Sequence, residues 1–386
     1  MTSSIVQPRQ MIIGAGAIKQ LVPVLQKLGL KRPFIVTDSF MVQSGNVARL
    51  TQPLDEAGMS YQVFSDTVPD PTASSIDNGV QALKQHDPDC VVALGGGSPL
   101  DSAKAIAFLA RYGGQMSDYK VPVVNDLPGL PMVAIPTTAG TGSEATRFTI
   151  ITDEATDEKM LCVGVAFCPE VALVDYELTL SKPRRLTADT GIDSLTHAIE
   201  AYVSKKQNPF SDGLAQLAMA ALARNLRTVC NEPDNRPARE AVMLAATQAG
   251  LAFSNSSVCL VHGMSRPIGA FFHVPHGLSN AMLLPAVTEF SIDAAPERYA
   301  DCARFMGVAT SDDSNDTANQ KLLAELRQLN KDLDVPTPKE YGIDKDKYFS
   351  LLTTMAEQAL ASGSPSNNPK VPTIEEMVDL YTQIWE

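Results

Sequence analysis

The stretch Val91-Val92-Ala93-Leu94-Gly95-Gly96-Gly97-Ser98-Pro99-Leu100-Asp101 decides the reading of the fold. Four apolar residues run into three glycines, and a helical pattern follows at 102–109. An apolar run without polar alternation reads as a strand covered on both faces, the environment of a parallel sheet. Three glycines let a backbone approach a phosphate closely, and the helix start beyond them presents unpaired N–H groups and a positive dipole end. The stretch therefore reads as a pyrophosphate site on an α/β sheet.

Outward from it, strand patterns recur at 33–37, 61–64, 89–94, 131–135 and 171–175, with helical patterns at 18–28, 76–85 and 100–111. Such alternation predicts a Rossmann-like parallel sheet with helices on both faces, and ligands at the carboxyl ends of its strands. Beyond about residue 183 the pattern turns helical, at 208–227, 237–253, 293–306, 318–333 and 373–385, with a polar loop at 362–373. The expected fold is an α/β nucleotide-binding domain over residues 1–184 followed by an all-α domain over 185–386.

The 386 residues suffice for two domains with their own cores. A net charge of −13 excludes a partner bound through its phosphate backbone, such as a nucleic acid. The six cysteines form no C-x-x-C pair, so neither a zinc ribbon nor a disulfide framework is expected. No run approaches 18 apolar residues and the start carries no signal pattern, which predicts a cytoplasmic protein that does not span a membrane.

Other strand ends carry candidate cofactor residues. Asp38 follows the strand at 33–37; a carboxylate there accepts bonds from ribose hydroxyls and repels a 2′-phosphate, favouring NAD, although it equally suits a helix N-cap. Gly14-Ala15-Gly16 resembles half a dinucleotide fingerprint, but Lys19 stands at the third glycine position, so it reads as a turn. The run Pro136-Thr137-Thr138-Ala139-Gly140-Thr141-Gly142-Ser143-Glu144 offers hydroxyls to a cofactor while matching neither a hydrolase elbow nor a P-loop.

Metal chemistry is suggested further on. Asp193 and His197 are one helical turn apart, and Glu200 shares their face. His262, His273 and His276 lie in one glycine-punctuated run, so four of the five histidines fall in these two segments. An aspartate with several imidazoles suits Fe(II), Zn(II), Mn(II) or Co(II) better than Ca(II) or Mg(II).

Taken together, Gly95-Gly96-Gly97-Ser98-x-x-Asp101-x-x-Lys104, Pro136 to Glu144, Gly191-x-Asp193-x-x-x-His197-Ala198-x-Glu200 and Pro275-His276-Gly277 resemble the iron-containing (group III) alcohol dehydrogenases over nearly the whole chain. The resemblance implies a dehydroquinate synthase-like architecture with Asp193, His197, His262 and His276 as metal ligands. It implies cofactor contacts from Gly96, Gly97, Ser98, Thr137, Thr138, Thr141 and Lys159, with Asp38, Asp70 and Leu178 nearby and Asp101 and Ser143 in the same motifs. Phe148 and Phe253 would face the substrate.

One departure matters. Where the family usually carries a second histidine four residues after the third ligand, this chain has Arg266. His273 is the candidate substitute as proton relay, while Arg266 would suit bidentate binding of an anionic substrate group. The expected activity is hydride transfer between NAD(H) and a small primary alcohol or aldehyde, by a homodimer or higher homo-oligomer holding Fe(II), Zn(II) or another divalent transition metal. The alternatives are a hydroxyacid-oxoacid transhydrogenase, a zinc polyol dehydrogenase, and a catalytically idle nucleotide-binding or assembly protein.

Overall fold

The computed structural model describes residues 2–156 and 158–386. The chain forms two compact units, one spanning Ser4–Ser181 and the other built on Lys182–Glu386.

The first unit contains, in order, β1 (Gln10–Ile13), α1 (Leu21–Leu28), β2 (Pro33–Val36), α2 (Ser39–Gln43), α3 (Ala48–Glu56), β3 (Gln62–Phe64), α4 (Ala73–Lys84), β4 (Cys90–Gly95), α5 (Gly97–Tyr112), β5 (Met132–Pro136), β6 (Phe148–Asp153), β7 (Glu158–Val163) and β8 (Val171–Val174). Six strands make one parallel sheet in the order β1-β8-β5-β4-β2-β3, and β6 and β7 form a separate antiparallel pair. Alternate residues of the central strands feed two cores. Phe34, Val36, Val91, Ala93, Met132 and Ala134 pack in the same core as Ile76 of α4 and Ile106 of α5. Ile35, Val92, Leu94, Val133 and Ile135 pack with Leu25 of α1 and Leu54 of α3. Each buried Val, Leu, Ile, Phe or Met side chain among them contributes roughly 1.5–3 kcal/mol, which is why the central strands tolerate so little polarity.

The sheet positions the site through its connections. From β2 the chain moves outward to β3, and from β4 it moves the other way to β5, so the connections diverge at the carboxyl ends of the adjacent strands β2 and β4. Such a reversal leaves an open crevice where ligands bind. The glycine turn Gly95-Gly96-Gly97 lies at that point.

The second unit begins with α6 (Arg184–Val203), α7 (Pro209–Asn231), α8 (Arg236–Asn255), α9 (Leu260–Phe272), α10 (His276–Ser291), α11 (Pro296–Phe305) and α12 (Asn315–Asp332), followed by shorter helices to Gln383; among its described residues there is no strand. Asn208 caps α7 by accepting the Ser211 N–H, with Pro209 in the first turn, a combination that starts a helix sharply. α6 packs against α7, α8 and α10 and is buried on every side from Ile192 to Val203, so its charged residues sit inside the unit.

Candidate functional site

In the α/β unit the predicted phosphate turn and the hydroxyl-rich run are neighbours. Gly95 pairs with Pro136 across β4 and β5, and the Thr137 N–H donates to the Gly95 carbonyl at 2.9 Å. A Cβ at Gly97 would lie 2.8 Å from Thr141 Cγ2, and one at Gly96 would lie 3.4 Å from Thr138 Cγ2, so both threonines press on the glycine backbone. The Thr137 hydroxyl is buried without a hydrogen-bond partner among the described residues. A glycine turn opening α5 beside an unsatisfied hydroxyl is a cradle that a dinucleotide's phosphates fit.

Of the other residues proposed for the cofactor, Asp101 and Ser143 brace this cradle. Asp101 accepts from Ser143 Oγ at 2.6 Å and from the Ile150 N–H at 3.0 Å, tying α5 to the hydroxyl-rich loop and to β6. Asp38 caps α2 by accepting the Met41 N–H at 2.8 Å. Lys159 pairs with Asp70 at 3.1 Å, and Asp70 takes a left-handed φ of 50°. Ser98 lies in the first turn of α5. Leu178 is in the hydrophobic core with Leu94 and Leu173, and Phe148 is half-buried at the start of β6.

In the helical unit, α6, α9 and α10 bring three of the proposed metal ligands together. Donor atoms of Asp193, His262 and His276 all lie within 4.8 Å of one another. From Asp193 Oδ1, the Nε2 atoms of His262, His276 and His197 are 3.4, 3.8 and 3.9 Å away. A tetrahedral ion with bonds of ~2.0–2.2 Å has donor edges of roughly 3.3–3.6 Å, so the distances from Asp193 Oδ1 are close to those a small transition-metal ion needs, while His197 lies outside the group of three whose donors are all within 4.8 Å. Ring contacts fix the imidazoles. His197 stacks on Phe253 at 4.3 Å and on His262 at 4.4 Å, with interplanar angles of 19° and 23°.

Two residues that sequence reasoning left outside the ligand set complete the cluster. Glu200, two turns along α6 from Asp193, lies 2.6 Å from His262 Nδ1 and accepts the N–H groups of Cys259 at 2.9 Å and Val261 at 2.6 Å. One carboxylate thus caps the start of α9 and holds the His262 ring so that Nε2 faces Asp193, an outer-shell arrangement common behind metal-bound imidazoles. The Asn280 amide nitrogen lies 2.7 Å from Asp193 Oδ1 and 3.2 Å from Nε2 of both His262 and His276. The Asn280 amide thus sits at the centre of the cluster, against the carboxylate and two of the ring nitrogens. The spacing of Glu200 on the Asp193 face was the available signal; Asn280 had none.

Electrostatics follow the same geometry. Burial raises the Asp193 pKa, but His197, His276 and His262 outweigh it and hold the carboxyl well below its usual range. Burial disfavours charge on His262, yet Glu200 and Asp193 raise its pKa to about 9. His276 is the open side of the cluster, with its side chain 37% exposed against 3–5% for the other three residues, so access for a small molecule is from that side. His273 is not a member of the cluster: it is exposed at the end of α9 with a left-handed φ of 54°. Arg266 lies on α9 one turn after His262. Phe253 is partly exposed beside His197.

Comparisons with known proteins cover both units. Residues 8–176 match the family described as "Iron-containing alcohol dehydrogenase", and residues 187–385 match "Fe-containing alcohol dehydrogenase family, C-terminal". The chain is 36% identical over 381 residues to the NAD-dependent methanol dehydrogenase of Bacillus methanolicus, covering 98% of this chain and 99% of that protein. It is 35% identical over 378 residues to the lactaldehyde reductase of Escherichia coli (strain K12), with 96% and 97% covered. The crystal structure of a 1,3-propanediol oxidoreductase superposes with a TM-score of 0.95 at 34% identity, covering 100% of both chains.

Proposed function

The chain belongs to the iron-containing alcohol dehydrogenase family, and from that premise we propose that it transfers a hydride between NAD(H) and a small primary alcohol or the matching aldehyde. The observation that carries this reading is the convergence of Asp193, His262 and His276, with His197 beside them, in a buried cluster open on one side. These four residues would hold Fe(II), or Zn(II) or another divalent transition metal. Such an ion, when bound, supplies Lewis-acid stabilisation of the substrate oxygen.

The protein's own residues do the rest. Glu200 keeps the His262 ring in the tautomer that presents Nε2 to the cluster. The backbone at Gly96, Gly97 and Ser98 receives the pyrophosphate, and Thr137, Thr138 and Thr141 line the same cradle. Asp38, beyond β2 at the reversal of the sheet connections, receives the ribose hydroxyls and disfavours a 2′-phosphate, so the preferred cofactor is NAD. Phe253 forms a wall beside His197 for the substrate's carbon chain. A cytoplasmic location and a homo-oligomeric state belong to the same proposal. The first is supported by six cysteines that are all free thiols and the second by the prevalence of symmetric dimers. Among the described residues no single helix is long and apolar enough to cross a membrane.

The test is NADH oxidation by chelator-stripped protein reconstituted anaerobically with Fe(II) or Zn(II), against short aldehydes and with NADPH in parallel. The expected result is activity restored by metal and favouring NADH. Activity that survives stripping would contradict the metal dependence, and none with any metal would leave an idle nucleotide binder.

A further inference from the structure

Arg266 is a cation that forms no ion pair among the described residues. Its side chain is set deep in the protein while part of its surface still reaches solvent. Among the described residues it donates no side-chain hydrogen bond and pairs with no carboxylate. Burial lowers its pKa to about 10, with Glu200 opposing the shift, so it stays charged near neutrality. Glu200 is not its partner, because that carboxylate is occupied by His262 Nδ1 and by the N–H groups of Cys259 and Val261. A buried guanidinium whose N–H groups meet no carboxylate directly is costly to keep unless something arrives to meet it. Its position limits what that is: four residues after His262 on α9, it lies on the helix face that carries the metal-site histidine.

We propose that Arg266 determines specificity by receiving the carboxylate of the substrate, which makes the preferred substrate a short aldehyde acid or the corresponding hydroxy acid. This rests on the reading of the site as an alcohol and aldehyde oxidoreductase. The planar fork of the guanidinium presents paired N–H donors that match a carboxylate bidentately. With the carboxylate held there, the carbonyl a few carbons away is the end directed to the cluster. In the reduction, NADH gives a hydride to the carbonyl carbon and solvent gives one proton to the oxygen, so an oxo acid becomes a hydroxy acid and NAD+ is released.

The experiment compares kcat/KM for 4-oxobutanoate and for pentanal, a neutral aldehyde of similar length, in the reconstituted wild type, Arg266→Met and Arg266→Lys. The wild type should favour the anionic aldehyde by about tenfold or more, the difference one charge-assisted contact makes. In Arg266→Met that ratio should fall by at least about tenfold, chiefly through KM for 4-oxobutanoate, and Arg266→Lys should recover part of it. Two binding measurements separate this proposal from the reading beneath it. Succinate should raise the melting temperature of the wild type and not of Arg266→Met, and NADH affinity should be the same in both. Pentanal reduced as well as 4-oxobutanoate, with the ratio unmoved by substitution, would overturn the Arg266 assignment and leave the oxidoreductase reading intact. Loss of NADH affinity in Arg266→Met would overturn it too, by making the cofactor's phosphates the anion received. No aldehyde turned over would overturn the oxidoreductase reading, and the succinate shift alone would then decide Arg266. Should Arg266→Met fail to fold, the wild-type ratio, the wild-type succinate shift and Arg266→Lys still decide it.

Discussion

Replacing Asp193 by alanine is expected to lower kcat for aldehyde reduction by about a thousandfold or more, because Lewis-acid stabilisation is worth several kcal/mol and each 1.36 kcal/mol is tenfold. Asp193 Oδ1 is the atom from which all three imidazole nitrogens are measured at 3.4 to 3.9 Å, and it is the only anionic donor of the set. Without it the donor set is three imidazoles with no anionic ligand for a divalent ion, and Asn280 loses its shortest contact. The variant should carry less than a tenth of the wild-type metal by elemental analysis, on the order of the loss expected for a missing ligand. NADH binding should persist, because the glycine cradle belongs to the α/β unit. A variant that retains both its metal and wild-type turnover would refute the assignment of this residue.

Gly277→Ala should have the next largest effect, for a steric reason. Gly277 follows His276 at the start of α10 and packs against the backbone of α6 one turn before Asp193. A Cβ there would lie 2.8 Å from the Asp189 carbonyl carbon and 3.3 Å from Asp193 Cβ. Backbone cannot yield as a flexible side chain does, so the two helices must part where they carry metal donors. Overpacking of this kind costs about 1–3 kcal/mol. Thermal unfolding and a metal titration should show a lower melting temperature and metal affinity weaker by about tenfold or more. Wild-type values for both would mean that α6 and α10 are free to separate.

Sequence reading succeeded where local chemistry is self-contained. The run from Val91 to Ser98 has one sensible conformation, and strand and helix meet at Gly96 as expected. The helical pattern expected at 100–111 is extended by the glycine turn itself, since α5 starts at Gly97. The helix expected over 18–28 divides, with a 3-10 turn at Ala17–Gln20 before Leu21. Two strand pairings were missed, for different reasons. β1 is four residues long and only half-buried, and it is a strand because β8, some 160 residues later, pairs with it. The β6 and β7 pair is by contrast local, with Thr152 opposite Lys159, and was missed because its short strands are only alternately buried.

At the site the same division holds. Asp193 and His197 could be matched by helical spacing, but their meeting with His262 and His276 depends on how α6, α9 and α10 pack. Asp38 had two equal readings, and the observed hydrogen bond to Met41 shows the helix cap at work. Arg266 stood out only as an unusual residue in a histidine-bearing run; that its side chain pairs with no carboxylate among the described residues is visible in three dimensions alone.

The central claim is that one divalent transition-metal ion is held by Asp193, His197, His262 and His276, and anomalous X-ray scattering at the iron edge from anaerobically reconstituted crystals tests it most directly. The account predicts a single strong peak per chain, at about 2.0–2.2 Å from Asp193 Oδ1 and from the three Nε2 atoms. A peak elsewhere, or none at these residues in protein that turns over aldehyde, would contradict it.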